Sequence, residues 1–248
     1  ICDLVARLPE DRMEHNLGAI PEVLGGGQPA PRLDLPAADV ARGMETNECW
    51  MVIRFVMQDP EYAELCNEVL DQVAAVLGPR YDLTHREAFI FLSGAASVTP
   101  THTDPEHNFL LQVRGNKEFT VGHLPATETS DHFLENYYRN GDRNTPFPPD
   151  SPAAFNLEPG VGIYVPPHHP HFVKSRSDLA LSLSVTWRPR ELRREGFIYA
   201  FNGRRREHGA NPRPFGQSPV RDRLKAWFES TASLARRGLK RARSAGVP

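Results

Sequence analysis

Long apolar runs are missing from this chain of 248 residues, and no stretch approaches the ~20 consecutive apolar residues that a membrane-spanning helix needs. Contact with a membrane interior is therefore not expected. Cysteine is scarce: Cys2, Cys49 and Cys66 are odd in number and show no paired spacing. That pattern excludes a disulfide framework and argues against a cysteine-built zinc site, so the three read as reduced thiols. No charged-then-apolar leader opens the chain, and a cytoplasmic location is the expectation. Because the chain starts at Ile1 rather than at methionine, the natural N-terminus is expected to lie upstream. Internal repeats and long low-complexity tracts are also lacking. What remains is ordinary, with 40% apolar and 24% charged residues, as in one large soluble domain with extensions.

A net charge of −2 leaves little excess of either sign, yet the charge is unevenly placed. From Arg188 onward there are 16 Lys and Arg against 5 Asp and Glu, whereas the preceding residues carry 13 against 26. A tail of this kind can contact nucleic acid, an anionic membrane surface or an acidic substrate. The reading favoured by sequence is a solvated helix face docked on the acidic remainder, because no interleaving of aromatic and basic residues is visible along the chain.

The chemistry concentrates in two segments. His102 and Asp104 lie two apart at the end of an apolar stretch, and in an extended strand such residues project from one face, so both can grip one ion. Val165-Pro166-Pro167-His168-His169-Pro170-His171-Phe172-Val173 supplies a distant histidine. Two neutral imidazoles and one carboxylate on one face of an octahedron leave positions open, an arrangement suited to non-haem Fe(II). Spacing alone leaves His168, His169 and His171 as alternatives. The other histidines, His15, His85, His107, His123, His132 and His208, read as surface or partly buried polar residues.

The run His102-Thr-Asp104-Pro-Glu-His-Asn108-Phe-Leu-Leu-Gln112-Val-Arg-Gly115-Asn-Lys117 resembles the JmjC-type, cupin-fold oxygenases that use Fe(II) and 2-oxoglutarate, above all the protein-asparagine hydroxylase branch and its bacterial cupin-like relatives. The resemblance covers roughly residues 50 to 190. It implies that His102 and Asp104 are iron ligands and that Lys117 meets the far carboxylate of 2-oxoglutarate. Asn108 and Thr99 fall where that branch contacts the co-substrate. The family's Pro-Pro, three residues, His, any residue, Val pattern maps onto Pro166, Pro167, His171 and Val173, which makes His171 the implied distal ligand. Glycine and bulky aromatics usually fill the three intervening places, held here by His168, His169 and Pro170.

The resemblance implies a mainly β fold with flanking helices, a double-stranded β-helix (jelly-roll, cupin/JmjC) barrel. Around it the expected organisation is an N-terminal extension over 1–58, a catalytic barrel over 59–190 with an insertion at 125–155, and a basic helical extension over 191–248. Asp59-Pro60 and Gly78 bracket an amphipathic helix over 60–77, with Tyr62, Leu65, Cys66, Val69, Val73, Val76 and Leu77 as its apolar positions. Strands are expected at 89–92, 109–113, 118–121, 162–165 and 179–187. Gly115-Asn116 predicts a hairpin that returns the Lys117 strand beside the ligand strand. In the last strand, Leu179, Leu181, Leu183, Val185 and Trp187 alternate with Ala180, Ser182, Ser184 and Thr186; a barrel strand lining a wet pocket has this pattern, and Thr186 and Ser184 become pocket candidates. The insertion carries a short helix over 131–139. A helix from Ser218-Pro219 places Leu224, Trp227, Phe228 and Thr231 on one face, which permits a homodimer.

The activity implied is oxidation with O2 and 2-oxoglutarate as co-substrates, giving succinate, CO2 and a hydroxylated protein side chain or small molecule. Halogenases related to this family lack the carboxylate, so Asp104 argues for hydroxylation, including that of an N-methyl group. Two other classes fit less well: a non-oxidative metal-binding cupin, and a non-catalytic ligand sensor with the basic tail on nucleic acid.

Overall fold

The computed structural model describes residues 1–24, 28–126 and 128–244. Contacts divide the chain into two compact units, Ile1–Leu124 with Arg143–Pro189, and Pro125–Asp142 with Arg190–Pro248.

The first unit contains, in chain order, α1 (Cys2–Arg7), β1 (Met13–Leu17), α2 (Ala37–Arg42), β2 (Cys49–Arg54), α3 (Pro60–Leu77), β3 (Glu87–Gly94), β4 (Val98–His102), β5 (His107–Arg114), β6 (Lys117–His123), β7 (Asp150–Leu157), β8 (Gly162–Val165), β9 (His171–Ser175) and β10 (Leu179–Trp187). The strands form a six-stranded sheet, β1-β2-β3-β10-β5-β8, and a four-stranded sheet, β4-β9-β6-β7. Every strand pair is antiparallel. This is the mainly β, jelly-roll architecture with flanking helices that the sequence implies.

Alternation in β10 decides which side of the large sheet is dry. Leu181, Leu183, Val185 and Trp187 join Ile53, Ile90 and Leu92 in a cluster that also takes in Val40, Cys66 and Leu70 from α2 and α3. Each fully buried aliphatic side chain there contributes about 1.5–3 kcal/mol. The opposite face carries Ala180, Ser182, Ser184 and Thr186, all buried. It looks toward the small sheet, and the second cluster joins Leu110 and Val165 of the large sheet to Phe119 and Leu157 of the small one. A pocket wall of hydroxyls beside a small apolar plug is the result.

Helix α3 occupies the expected span, with Asp59 accepting from the Glu61 N–H at 3.1 Å as its N-cap and Gly78 closing it at φ 81°. Its buried face differs from the expected one. Cys66 and Leu70 are buried, whereas Leu65 and Val76 are exposed. The hydrophobic stripe read from sequence was too wide, because exposed apolar residues are normal on a helix surface.

The turn at Gly115-Asn116 is a corner rather than a hairpin. β5 belongs to the large sheet and β6 to the small one, where β6 pairs with β9 and β7. Gly115 sits at φ 66°, and a Cβ there would come within 2.2 Å of the Leu179 carbonyl oxygen, so only glycine fits this passage between sheets. Residues 1–58 are also more than a covering, since β1 and β2 extend the large sheet through β3. The end of the expected insertion, from Asp150 onward, belongs to strand β7. His15, read from sequence as a surface or partly buried residue, lies buried in β1.

The second unit holds α4 (Glu128–Asn140), α5 (Arg190–Glu207) and α6 (Pro219–Ser244). α5 approaches α4 closely at Gly196 and Gly203, where an added Cβ would meet the Tyr138 ring at 2.4 Å and the Glu135 carbonyl oxygen at 2.8 Å. Glu135 is buried and takes the Arg206 guanidinium at 2.5 Å. The apolar face expected on α6 points outward. Leu224, Trp227 and Phe228 are exposed, while Asp222, Lys225, Ala226 and Glu229 are buried. Among the described residues no helix is long and apolar enough to cross a membrane.

Candidate metal centre

Strand β4 ends at His102, so Asp104 reaches the site from the following loop and not from a continuous strand. Two contacts define that loop. The Thr103 N–H donates to the Arg143 carbonyl at 3.1 Å, and the His168 N–H donates to the Asp104 carbonyl at 2.8 Å. His171 opens β9, and in register it sits between His102 on one side and Val121 of β6 on the other.

His102, Asp104 and His171 thereby converge, with one ligand atom from each lying within 4.8 Å of the others. Asp104 Oδ2 is 3.8 Å from His102 Nε2 and 3.6 Å from His171 Nε2. Both rings present the correct nitrogen. His102 Nδ1 lies 2.7 Å from the Pro100 carbonyl and His171 Nδ1 lies 2.9 Å from the His169 carbonyl. A carbonyl only accepts, so each Nδ1 carries the proton and each Nε2 keeps its lone pair for an ion. His169 is not part of the cluster. Its ring packs edge-on against His123 at 5.0 Å, and its Nδ1 faces the Pro167 carbonyl.

Electrostatics hold the three groups in the state a metal needs. Burial, followed by His171 and Arg143 nearby, pushes His102 down to about 3. Burial likewise lowers His171. For Asp104 burial acts in the opposite direction, yet it is outweighed by His102, Arg143 and His171, and the carboxyl stays below its usual range. With both imidazoles neutral, Arg143 is the standing positive charge, its Nη1 3.2 Å from Asp104 Oδ1. Two neutral imidazoles and an ionised carboxylate suit Fe(II).

Arg143 was not legible in the sequence, because it lies 39 positions from Asp104 and meets it only where residues 143–145 run antiparallel to 101–103. It occupies one carboxylate oxygen and leaves the other facing the imidazoles. Arg143→Met is expected to lower metal affinity about 10- to 100-fold with the fold intact. Titrating the variant with Co(II) checks this; wild-type affinity would show that the contact does not orient Asp104. Glu106 was also missed: burial, then Asp104, pushes its carboxyl up to about 7, with Arg188 3.7 Å away.

The remaining sequence candidates sit on β4, β5, β6 and β10. Lys117 is 3% exposed, and no carboxylate pairs with it among the described residues. Burial lowers its ammonium to about 7. It shares the inner face of β6 with Phe119 and Val121, the ring of Phe119 stacking on His171 at 5.1 Å. The four residues from Val121 to Lys117 put the lysine roughly 13 Å along the strand from the histidine row. Asn108 Oδ1 accepts from Ser184 at 2.6 Å, which fixes the amide and leaves its NH2 for another acceptor. Gln112 takes the Ser182 hydroxyl at 2.6 Å and donates to the Arg114 and Gly115 carbonyls at 2.8 Å each, bracing the corner before Lys117. Thr99 and His102 share a face because a bulge inserts one residue between them: Thr99 pairs with Val173 and His102 with His171. Thr186 is buried, but its hydroxyl donates to the Glu87 carbonyl at 3.1 Å.

Comparison with known proteins agrees with this geometry. A profile for the JmjC domain matches residues 67–194, which encloses the three clustered ligands and Lys117. Jumonji C domain-containing protein 5 of Drosophila melanogaster is 30% identical over 139 residues, 52% of this chain and 31% of that protein. Lysine-specific demethylase 8 of Xenopus tropicalis is 32% identical over 104 residues, 38% of this chain and 23% of its own length. The chain thus spans less than a third of these curated relatives. Among solved structures, Escherichia coli ycfD superposes with a TM-score of 0.51 at 18% identity, over 94% of this chain and 58% of that one, and this likeness concerns the fold.

Proposed function

We propose that this chain, which belongs to the JmjC domain family, is an Fe(II)- and 2-oxoglutarate-dependent oxygenase that hydroxylates a protein side chain or a small molecule, with release of succinate and CO2. One observation carries the reading: the two histidines of the His102, Asp104 and His171 cluster share a sheet face with a buried lysine that has no carboxylate partner among the described residues. When bound, the iron supplies the coupling of 2-oxoglutarate decarboxylation to oxidation of a C–H bond.

The residues divide the work. His102 Nε2, Asp104 Oδ2 and His171 Nε2 hold the metal from one side, and Arg143 keeps the second Asp104 oxygen out of that role. Lys117 supplies a point charge for the distant carboxylate of the co-substrate. Asn108, locked by Ser184, and Thr99 offer further hydrogen bonds to it. Thr186 acts as pocket wall, its hydroxyl being spent on Glu87. Phe119, Leu110 and Val165 exclude water from the space between the sheets.

Incubation with Fe(II), 2-oxoglutarate and O2 is expected to form succinate, and a hydroxylated target gains one oxygen by mass. Loss of formaldehyde instead would assign demethylation through an N-methyl group, using the same residues. An iron-loaded protein that forms no succinate with peptide or metabolite pools would sink the oxygenase reading.

A further inference from the structure

Helices α5 and α6 of the second unit enclose a groove that the metal centre does not use. From α5 come Arg190, Arg193, Arg194 and Phe197; from α6 come Arg223, Ala226, Trp227 and Ser230, around a cavity of about 330 Å³. Both sets follow the i, i+3, i+4, i+7 spacing that places residues on one helix face. Basic and aromatic groups that do not interleave along the chain therefore meet in space.

Few of the acids on α5 and α6 are left to answer the charge of the groove. Five acids occur from Arg188 onward. Asp222 and Glu229 are buried and engaged, Asp222 with Lys225 and the Gly216 N–H, Glu229 with Arg204 and Arg236 at 2.5 and 2.6 Å. Glu207 pairs with Arg139. Only Glu191 and Glu195 remain, and burial raises the Glu195 carboxyl to about 7, which leaves it partly uncharged at neutral pH. Arg194 and Arg223 are exposed and make no ion pair among the described residues. Trp227 is 59% exposed, whereas Trp50 and Trp187 are buried.

We propose that this groove binds single-stranded nucleic acid, the α5 and α6 arginines meeting successive phosphates while a base stacks on Trp227. Guanidinium groups beside an exposed indole match what unpaired nucleotides present, a phosphate chain and flat faces. Duplex would satisfy the charge but keep its bases stacked away from the indole. An acidic polypeptide would also satisfy the charge, yet bring no flat partner for the ring.

The test is a titration of the full chain with a single-stranded RNA of about ten nucleotides and its DNA counterpart, followed by tryptophan fluorescence. Because the other two indoles are buried, quenching reports Trp227. Saturable quenching is expected, with affinity falling roughly 7- to 50-fold between 50 and 200 mM salt for two to four phosphate contacts. Arg194→Glu with Arg223→Glu is expected to weaken binding at least about tenfold, and Trp227→Leu to abolish the quench, both with wild-type thermal unfolding since these side chains are exposed. Absence of binding, or binding untouched by the charge reversal, overturns the proposal. So does equal affinity for a polyglutamate peptide, which would assign an acidic protein partner, or self-quenching with rising protein concentration alone, which would assign a second copy.

Discussion

Replacing His171 by alanine is expected to remove iron-dependent turnover, lowering succinate formation by at least roughly 1,000-fold and reducing metal affinity in parallel. The reason is geometric. Its Nε2 is one of three donors that lie within 4.8 Å of one another among the described residues, and its proton is fixed on Nδ1 by the His169 carbonyl. Removing it leaves one imidazole and one carboxylate, too few to hold Fe(II) against water. His102→Ala and Asp104→Ala should behave alike. The informative control is His169→Ala, which spares the backbone carbonyl that orients His171 and deletes a ring that packs on His123 and faces the Pro167 carbonyl. That variant should retain metal within a few-fold of wild type. If His169→Ala lost the metal and His171→Ala kept it, the distal ligand would be two residues earlier than the geometry places it.

Lys117→Met is expected to separate function from stability. The ammonium is buried, lacks a carboxylate partner among the described residues, and is driven by burial to about 7 from its ordinary 10.5. A lysine depressed in this way destabilises the folded state, because the unfolded chain holds the proton more tightly. The penalty is absent above the unfolded value, grows as pH falls from about 10.5 and is complete below about 7. An apolar isostere relieves it. The variant without co-substrate should therefore unfold at higher urea than wild type near pH 7, by on the order of a few kcal/mol, while 2-oxoglutarate binding weakens at least about 100-fold. In wild type, binding the dianion should take up a proton at neutral pH and weaken as pH rises above about 7. Calorimetry in buffers of different ionisation enthalpy measures that uptake. A Lys117→Met protein that is less stable and still binds 2-oxoglutarate would make the lysine a packing residue.

How much of this was readable in advance depended on whether a signal was local. β10 displayed its two faces in a strict alternation, and α3 carried its cap and its stop within the sequence of the helix itself. β8 and β10 fall on the expected residues, whereas β1, β2, β7 and β9 were not foreseen as strands. Those four take their identity from partners far along the chain, such as β2 against β3 and β7 against β6. The corner at Gly115 looks like a hairpin from sequence because a glycine in the left-handed region serves both; only the Leu179 carbonyl against it distinguishes them. At the site, spacing around His102 picked out Asp104, which the fold places beside it, while Arg143 had no local mark. The buried face of α6 was not legible, because it is made of charges, Asp222, Lys225 and Glu229, whose partners include Gly216, Arg213 and Arg204 outside the helix.

The most direct measurement is the absorption spectrum of the protein under anaerobic conditions as Fe(II) and then 2-oxoglutarate are added. No substrate is needed. A weak visible metal-to-ligand charge-transfer band is expected in the wild type, absent from His102→Ala and requiring much higher 2-oxoglutarate in Lys117→Met. Metal demonstrably bound without the band, or a band of equal strength in His102→Ala, would contradict an iron site built from His102, Asp104 and His171.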